Sequence, residues 1–400
     1  MQSDELFETV ETRNGRVTFF AKDTGAISES LRLYGEWAHN ELSFMLSMVR
    51  SGDTVVDVGG YIGTHAIAFA RRVGEAGKVV SIEAQARSFE LLERNVKANG
   101  LTNVRLENAI ASSVSKDERI PGIDIASPAS YGSASLRDVF VEGAGKREAA
   151  GSSELAVKAI AVDDLSLESC ALIKVDVEGM EDMVLSGARE TIRRHAPAVY
   201  AECNSLDDGL RCFRLLKECG YRVRAHVVLA YNANNFRQSD ENIFSGAREV
   251  ALVGTPKSAD PLAHYAVRPC ELLLDVETAD DLALALLNKP QYEHEVLRHG
   301  AAARTGGVAA LDAVVALRNS EHEALNRVDH YVRKLEHCEG RIAAIEEDNK
   351  RLRFEVARAV ESESAAREET NALQATVDDI KRSTSWRVTA PLRALGKKIS

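Results

Sequence analysis

The chain has 400 residues, 45% of them hydrophobic, and a formal net charge of −11. That suffices for one large core plus an appendage, and the acidic balance argues against nucleic acid as the main partner. Its six cysteines stand singly, at 170, 203, 212, 219, 270 and 338, so neither a disulfide framework nor a metal cluster is expected, no metal ligand is assigned, and a reducing cytosol is the simplest home.

Residues 1–30 read as an N-terminal extension whose acidic start, MQSDELFETVETRNG, lacks the apolar core of a signal peptide. No later stretch reaches the roughly eighteen apolar residues of a membrane span. Between Leu31 and Val49, Trp37, Leu42, Met45, Leu46 and Val49 fall at helical spacing and predict one helix over the edge of a sheet. Glu36 and Glu41 on this segment fit either a ligand contact or a solvated helix face.

The stretch Gly52–Glu83 organises the chain. Val55, Val56 and Val58 form the apolar run of a strand buried on both faces, and Gly59-Gly60 end it. A helix follows from Thr64 to Arg72, then the strand Val79–Ile82, which stops at Glu83. This is a β-α-β unit whose turn brings backbone close to a ligand, with an acid about twenty residues on that can bind a ribose. The turn, Asp57-Val58-Gly59-Gly60-Tyr61-Ile62-Gly63, lacks the glycine register of a dinucleotide site, and Asp57 would repel a diphosphate. A ligand with a cationic amino-acid end and no phosphate fits better.

Ser88 is placed to cap the next helix, which Asn99-Gly100 stop, and Val104–Leu106 reads as a strand. The interval from Ile110 to Cys170 reads as an insertion carrying a hairpin, with Leu155–Ile160 as one arm. The buried strand Leu172–Val175 delivers Asp176 and Glu178 to the carboxyl edge of the sheet. Asp176 is the leading candidate for a base or a substrate-orienting acid and Glu178 the second, although a helix-capping carboxylate would also explain Glu178. Strands follow at Pro197–Cys203, ending near Glu202, at Arg222–Val228 and at Glu249–Val253. His226, within the second of these, is a candidate catalytic group or a packed core residue.

The segments DVGGYIGTHAIAFA, SIEAQARSFELLERNVKANGLTNVRLENA and ALIKVDVEGMEDMVLSGA followed by PAVYAEC resemble, in order, the motifs of FkbM-type methyltransferases that use S-adenosylmethionine (SAM). The resemblance spans about Tyr34 to Pro256. It implies a doubly wound, mostly parallel, seven-stranded α/β methyltransferase sheet over residues 31–256. It also implies a cofactor site of Glu36, Asp57, Gly59, Gly60, Tyr61, Gly63, Thr64 and Glu83, and an acceptor-side loop at Tyr231–Phe244. Two positions depart from the family pattern, which carries Ala where Gly60 stands and Asn where Tyr61 stands.

Residues 257–310 read as a connector, with a small helical element over Leu272–Leu287. From 311 to 383, apolar residues at 3-4 spacing predict a long α-helical coiled coil. Its second register places Asn349, Val356, Glu363, Thr370 and Val377 at a, and Ile345, Leu352, Ala359, Ala366, Leu373 and Ile380 at d. The short step from Ile342 to Ile345, beside Gly340, marks its weak point, and Asn349 favours a parallel homodimer. A single helix folded back on the enzyme domain is the alternative. Residues 384–400 form a basic amphipathic tail resembling the ending of many bacterial cell-surface glycosyltransferases. This tail could meet an anionic membrane surface, a glycosyltransferase, or the acidic domain itself. Together these features predict a cytoplasmic O-methyltransferase, peripheral on the inner face of the membrane where its tail meets lipid, acting on a glycan or glycolipid, most simply a sugar of a surface polysaccharide. The alternative is a catalytically silent interaction protein working through its coil.

Overall fold

The computed structural model describes residues 6–121, 154–289 and 308–388. In chain order the first elements are the hairpin β1 (Phe7–Thr12) and β2 (Gly15–Phe20), then α1 (Ala26–Tyr34) and α2 (His39–Ser47). Next come β3 (Thr54–Val58), α3 (Thr64–Val73), β4 (Lys78–Glu83), α4 (Ala86–Ala98), β5 (Val104–Ala111) and β6 (Lys116–Pro121). After these lie β7 (Glu154–Ile160), β8 (Leu172–Val175), α5 (Glu181–Ser186), α6 (Arg189–His195), β9 (Ala198–Glu202) and α7 (Leu206–Glu218). The domain then runs through β10 (Tyr221–Leu229), β11 (Arg248–Pro256), β12 (Glu271–Asp275) and α8 (Ala279–Leu286).

All residues of β3 and β8 are buried, as their valine- and leucine-rich sequences require of central parallel strands. Alternate residues serve opposite faces. Val56, Val58, Ile173 and Val175 pack with Ile192, Leu216 and Leu282, whereas Val55, Val79 and Leu172 pack with Phe44, Met45 and Phe69. Helices therefore cover both faces of a sheet ordered β12-β10-β11-β9-β8-β3-β4-β5-β7-β6. The strands from β9 to β7 run parallel. On one side β11, β10 and β12 are antiparallel, as is β6 on the other. After β3 the chain moves outward through β4 and β5, then returns to β8 on the opposite side of β3. That reversal opens a crevice at the carboxyl ends of β3 and β8.

The sheet has ten strands where seven were expected. The insertion contributes the hairpin pair β6–β7, whose connection at 122–153 lies outside the described residues. Nor does the sheet stop at Pro256. Leu272–Asp275, expected within a helical element, is part of β12 and pairs with β10, because a short apolar run suits either state and the open edge of β10 decides it. Only the second part of that element is helical, starting from a capping box of Thr278 and Asp281. The single helix expected over 31–49 is two, separated by left-handed backbone at Gly35 (φ 65) and Ala38 (φ 44). Ser88 lies inside α4, whose cap position is Gln85. The N-terminal extension is the β1–β2 hairpin, with Phe19 and Phe20 buried. Asn95 of α4 holds it by bonding both the N–H and the carbonyl of Thr18, at 2.7 and 2.8 Å.

The C-terminal unit, described by itself, contains the greater part of α9 (Val308–Arg382) and the short α10 (Thr384–Val388). α9 runs unbroken through Gly340, and its described seam residues, among them Leu352, Val356 and Leu373, are exposed on the single chain. Residues 290–307 and the basic tail beyond 388 lie outside the described residues. No helix among the described residues is long and apolar enough to cross a membrane.

Candidate functional site

A cleft of about 270 Å³ lies at the carboxyl ends of β3, β4 and β8. Its floor is set by how tightly the first glycine turn meets the end of β8. Gly59 has φ 80, and a Cβ there would lie 1.8 Å from the backbone oxygen of Asp176, so only glycine allows the two strands to end side by side. At Gly60 a Cβ would come within 2.2 Å of Ser81 Oγ, the hydroxyl that donates to Asp57 Oδ2 at 2.9 Å. This chain has glycine where its resemblance leads one to expect alanine because that hydroxyl occupies the space.

Tyr61 takes left-handed backbone at φ 47, which Asn adopts more readily than a bulky residue. Two contacts hold it there. Its N–H donates to Glu83 Oε2 at 2.8 Å, and its hydroxyl donates to Asp23 Oδ2 at 2.9 Å. The other oxygen of Glu83 accepts from the N–H of Gln85 at 2.7 Å. Burial nevertheless pushes the Glu83 carboxyl up to about 7.

Across the turn, Lys174 of β8 is 3% exposed and donates to the carbonyl of Gly59 at 2.9 Å. Its ammonium lies 3.4 Å from both Asp57 Oδ1 and Asp176 Oδ2. Burial alone would lower its pKa, but Asp176, Asp57 and Glu41 hold it above the usual lysine range. Burial works against ionisation of Asp176, yet Lys174 keeps that carboxyl below its ordinary value. The surrounding acids behave oppositely. Burial and then the charge of Asp176 raise Glu178 to about 7 and Glu41 to about 8, and push Glu202 well up. Glu249 completes the acidic wall, and the buried Lys289 faces it at 2.9 Å and Glu202 at 3.8 Å.

Of the residues expected at the site, Gly59, Gly60, Tyr61, Thr64, Glu83, Asp176 and Glu178 line this cleft. Four are placed elsewhere. Asp57 is 0% exposed and its carboxylate is spent on Ser81 and Lys174, so it anchors the turn instead of facing a ligand. Gly63 ends the turn behind it, packed on Leu92. Glu36 binds Arg13 at 2.7 Å, Asn232 at 2.6 Å and the N–H of Phe236 at 2.9 Å, which ties the N-terminal hairpin to the loop at 231–244. His226 is a core residue, stacked on Phe44 at 3.9 Å. Its Nε2–H donates to Glu271 at 3.0 Å, leaving Nδ1 to accept from the Tyr200 hydroxyl at 2.9 Å.

Glu41, not Glu36, is the acid of its segment that reaches the cleft. His65, Lys174, Glu202, Glu249 and Lys289 also carry site electrostatics without a sequence signal of their own. Lys174 reads as an interruption of a buried strand, and a charge inside such a run is the one clue available.

Residues 57–223 match the family model for the methyltransferase FkbM domain, and this match supports SAM as the cofactor. No curated protein matches the chain. Among solved structures it is similar to the methyltransferase FkbM from Methylobacillus flagellatus, at 18% identity over 56% of this chain and 50% of that one, TM-score 0.35. This chain thus spans about half the length of that protein. A SAM-dependent O-methyltransferase from Thermotoga maritima is similar at 14% identity over 62% of this chain and 77% of that one, TM-score 0.32. The O-methyltransferase from Bacillus cereus in complex with SAH is similar at 11% identity, with 54% and 79% covered and TM-score 0.31. The residues of the cleft fit the cofactor, since an acid-rich wall suits a ligand bearing sulfonium and ammonium charges, and the Gly59 turn keeps backbone free of side chains.

Proposed function

We infer that the sheet domain binds SAM in this cleft and transfers its methyl group to a hydroxyl of a sugar in a cell-surface polysaccharide. The observation that carries the reading is the presence, in one cleft, of a buried ribose-type acceptor, Glu83, and a lysine-paired carboxylate, Asp176, on opposite sides of a bare glycine turn. SAM supplies a methyl group already activated on sulfonium. The chain's own residues position its partners. Glu83 accepts from the ribose hydroxyls, with Tyr61 and Gln85 N–H groups fixing its carboxylate. Asp176, kept ionised by Lys174, orients the acceptor hydroxyl. Glu178, whose carboxyl is raised to about 7, takes the hydroxyl proton as the new bond forms, since a base works best with a pKa near the working pH.

The sugar acceptor is supported by the glycosyltransferase-like ending and by the polar loop at 231–244 beside the N-terminal hairpin. In the same reading the seam of α9 pairs two chains as a parallel dimer, and the basic end contacts an anionic membrane or a glycosyltransferase. The test is turnover of radiolabelled SAM on a glycan extract alongside calorimetric SAM binding. The Asp176→Asn variant should keep SAM affinity and lose about a hundredfold in turnover as the acceptor hydroxyl loses its orientation. SAM binding without turnover on any glycan would instead favour an interaction protein built on a silent methyltransferase domain.

A further inference from the structure

Residues 6–34 precede the family match at 57–223, yet they are bound into the glycine turn. Asn95 of α4 donates from its amide nitrogen to the carbonyls of Thr18 in the hairpin and Ile62 in the turn, both at 2.8 Å. Phe19, Phe20, Ile62 and Ile67 share one buried cluster. A second link is Asp23, in the loop between β2 and α1. It is 1% exposed, and its carboxyl group forms the corner of that loop. Oδ1 accepts from the N–H of Gly25 at 2.8 Å, and Oδ2 accepts from the Ser28 hydroxyl at 2.7 Å. A side chain that bonds the backbone two residues on has little freedom left, so the Tyr61 hydroxyl, 2.9 Å from Oδ2, meets a fixed acceptor. Asp23, Gly25, Ala26 and Ile27 also line the cleft itself.

The consequence falls on Glu83. Tyr61 holds left-handed backbone at φ 47, which is unfavourable for a bulky side chain and persists only where surrounding contacts impose it. In that conformation its N–H lies 2.8 Å from Glu83 Oε2. Ile62 is held by Asn95, so relaxation of that φ would rotate the Gly60–Tyr61 peptide, and the N–H with it.

We propose that Asp23, acting through the Tyr61 hydroxyl, is a positioning residue for the cofactor: it keeps the Tyr61 N–H on Glu83 and makes the N-terminal hairpin and its loop part of the SAM site. This rests on the reading that SAM binds in the cleft with its ribose on Glu83.

The test is calorimetric titration of the full-length chain with SAM on both sides of neutral pH. Tyr61→Phe keeps the ring and removes the hydroxyl, and should weaken binding roughly two- to tenfold, the range for losing one hydrogen bond. Asp23→Ala should weaken it at least as much, and adding Tyr61→Phe to Asp23→Ala should cost nothing further, because both break the same link. In a Glu83→Ala background Tyr61→Phe should also cost nothing further, whereas a general loosening of the cleft would weaken binding in both backgrounds. The Tyr61 N–H lowers the pKa of Glu83, so in Tyr61→Phe the rise of SAM affinity with pH should move to higher pH. Asp57 and Lys174 act on Glu83 from β3 and β8, and Glu41 and Glu178 titrate in the same cleft. The variant leaves all four in place, and the shift should vanish in Glu83→Ala. Melting curves of the ligand-free variants show whether each is folded. The proposal is overturned if folded Tyr61→Phe binds SAM as the wild type does, or if its loss is as large in Glu83→Ala as in the wild type. A wild-type chain that binds no SAM overturns the cofactor reading and this inference with it, whereas one that binds SAM equally with and without the Tyr61 hydroxyl overturns this inference alone.

Discussion

Lys174→Met tests the electrostatic centre of the domain. In the native fold the Lys174 ammonium is the only cation beside Asp57 among the described ion pairs, at 3.4 Å, and Asp57 is wholly buried. Ser81 satisfies one oxygen of Asp57, while Oδ1 has no hydrogen bond and relies on that charge. Removing one partner of a buried pair strands the other, at a cost of about 3–5 kcal/mol. Asp176, which is partly exposed, can turn to water and adds little. The loss should appear in urea unfolding followed by Trp37 fluorescence in a Trp386→Phe background. Burial already raises the pKa of Asp57, and without Lys174 it must rise further. The folded variant then holds that proton more tightly than the unfolded chain, so its deficit should narrow as pH falls through the raised value. Adding Asp57→Asn should restore much of the stability, because a buried amide needs no counter-charge. A loss under about 1 kcal/mol, far below the buried-pair range, or a double variant no better than the single, refutes this account.

The other predictions concern the cofactor, the core and the helix. Glu83→Ala should weaken SAM binding by about 1.5–3 kcal/mol, the range for hydrogen bonds to a charged group; calorimetry that finds affinity unchanged would remove Glu83 from the ribose site. With its carboxyl at about 7, the fold should gain stability as pH falls from there toward the ordinary glutamate value, whereas SAM affinity, which uses the carboxylate, should rise as pH climbs through the same window. His226→Leu should cost about 1–3 kcal/mol by unpairing Tyr200 and Glu271 while leaving SAM affinity unchanged; a loss of binding without a loss of stability would return His226 to the site. Asn349→Ile should raise the melting temperature of the helical stalk and loosen its choice of two strands, and sedimentation showing a monomeric full chain would end the dimer reading.

The β-α-β centre was legible because burial on both faces demands an unbroken apolar run and a close strand-to-helix turn demands glycine. Val55–Val58, Gly59 and the strand ending at Asp176 therefore declared themselves in one dimension. So did the 3-4 pattern of α9, a property of neighbours along the chain. The edge strand β12 did not, since Leu272–Asp275 is equally apolar as helix or strand and only the unpaired edge of β10 settles the matter. Residue roles divide the same way. Asp57 has the spacing of a ligand-facing acid, but the fold sets Lys174 opposite it and turns it into a buried anchor. His226 reads as a possible base until Glu271, forty-five residues on, takes its proton donor. Glu202 and His65, far apart in sequence, join Asp176 only because β8, β9 and the start of α3 end around one crevice. Local pattern fixes which segments can be buried; which charges face each other depends on contacts between distant segments, and those exist only once the sheet has formed.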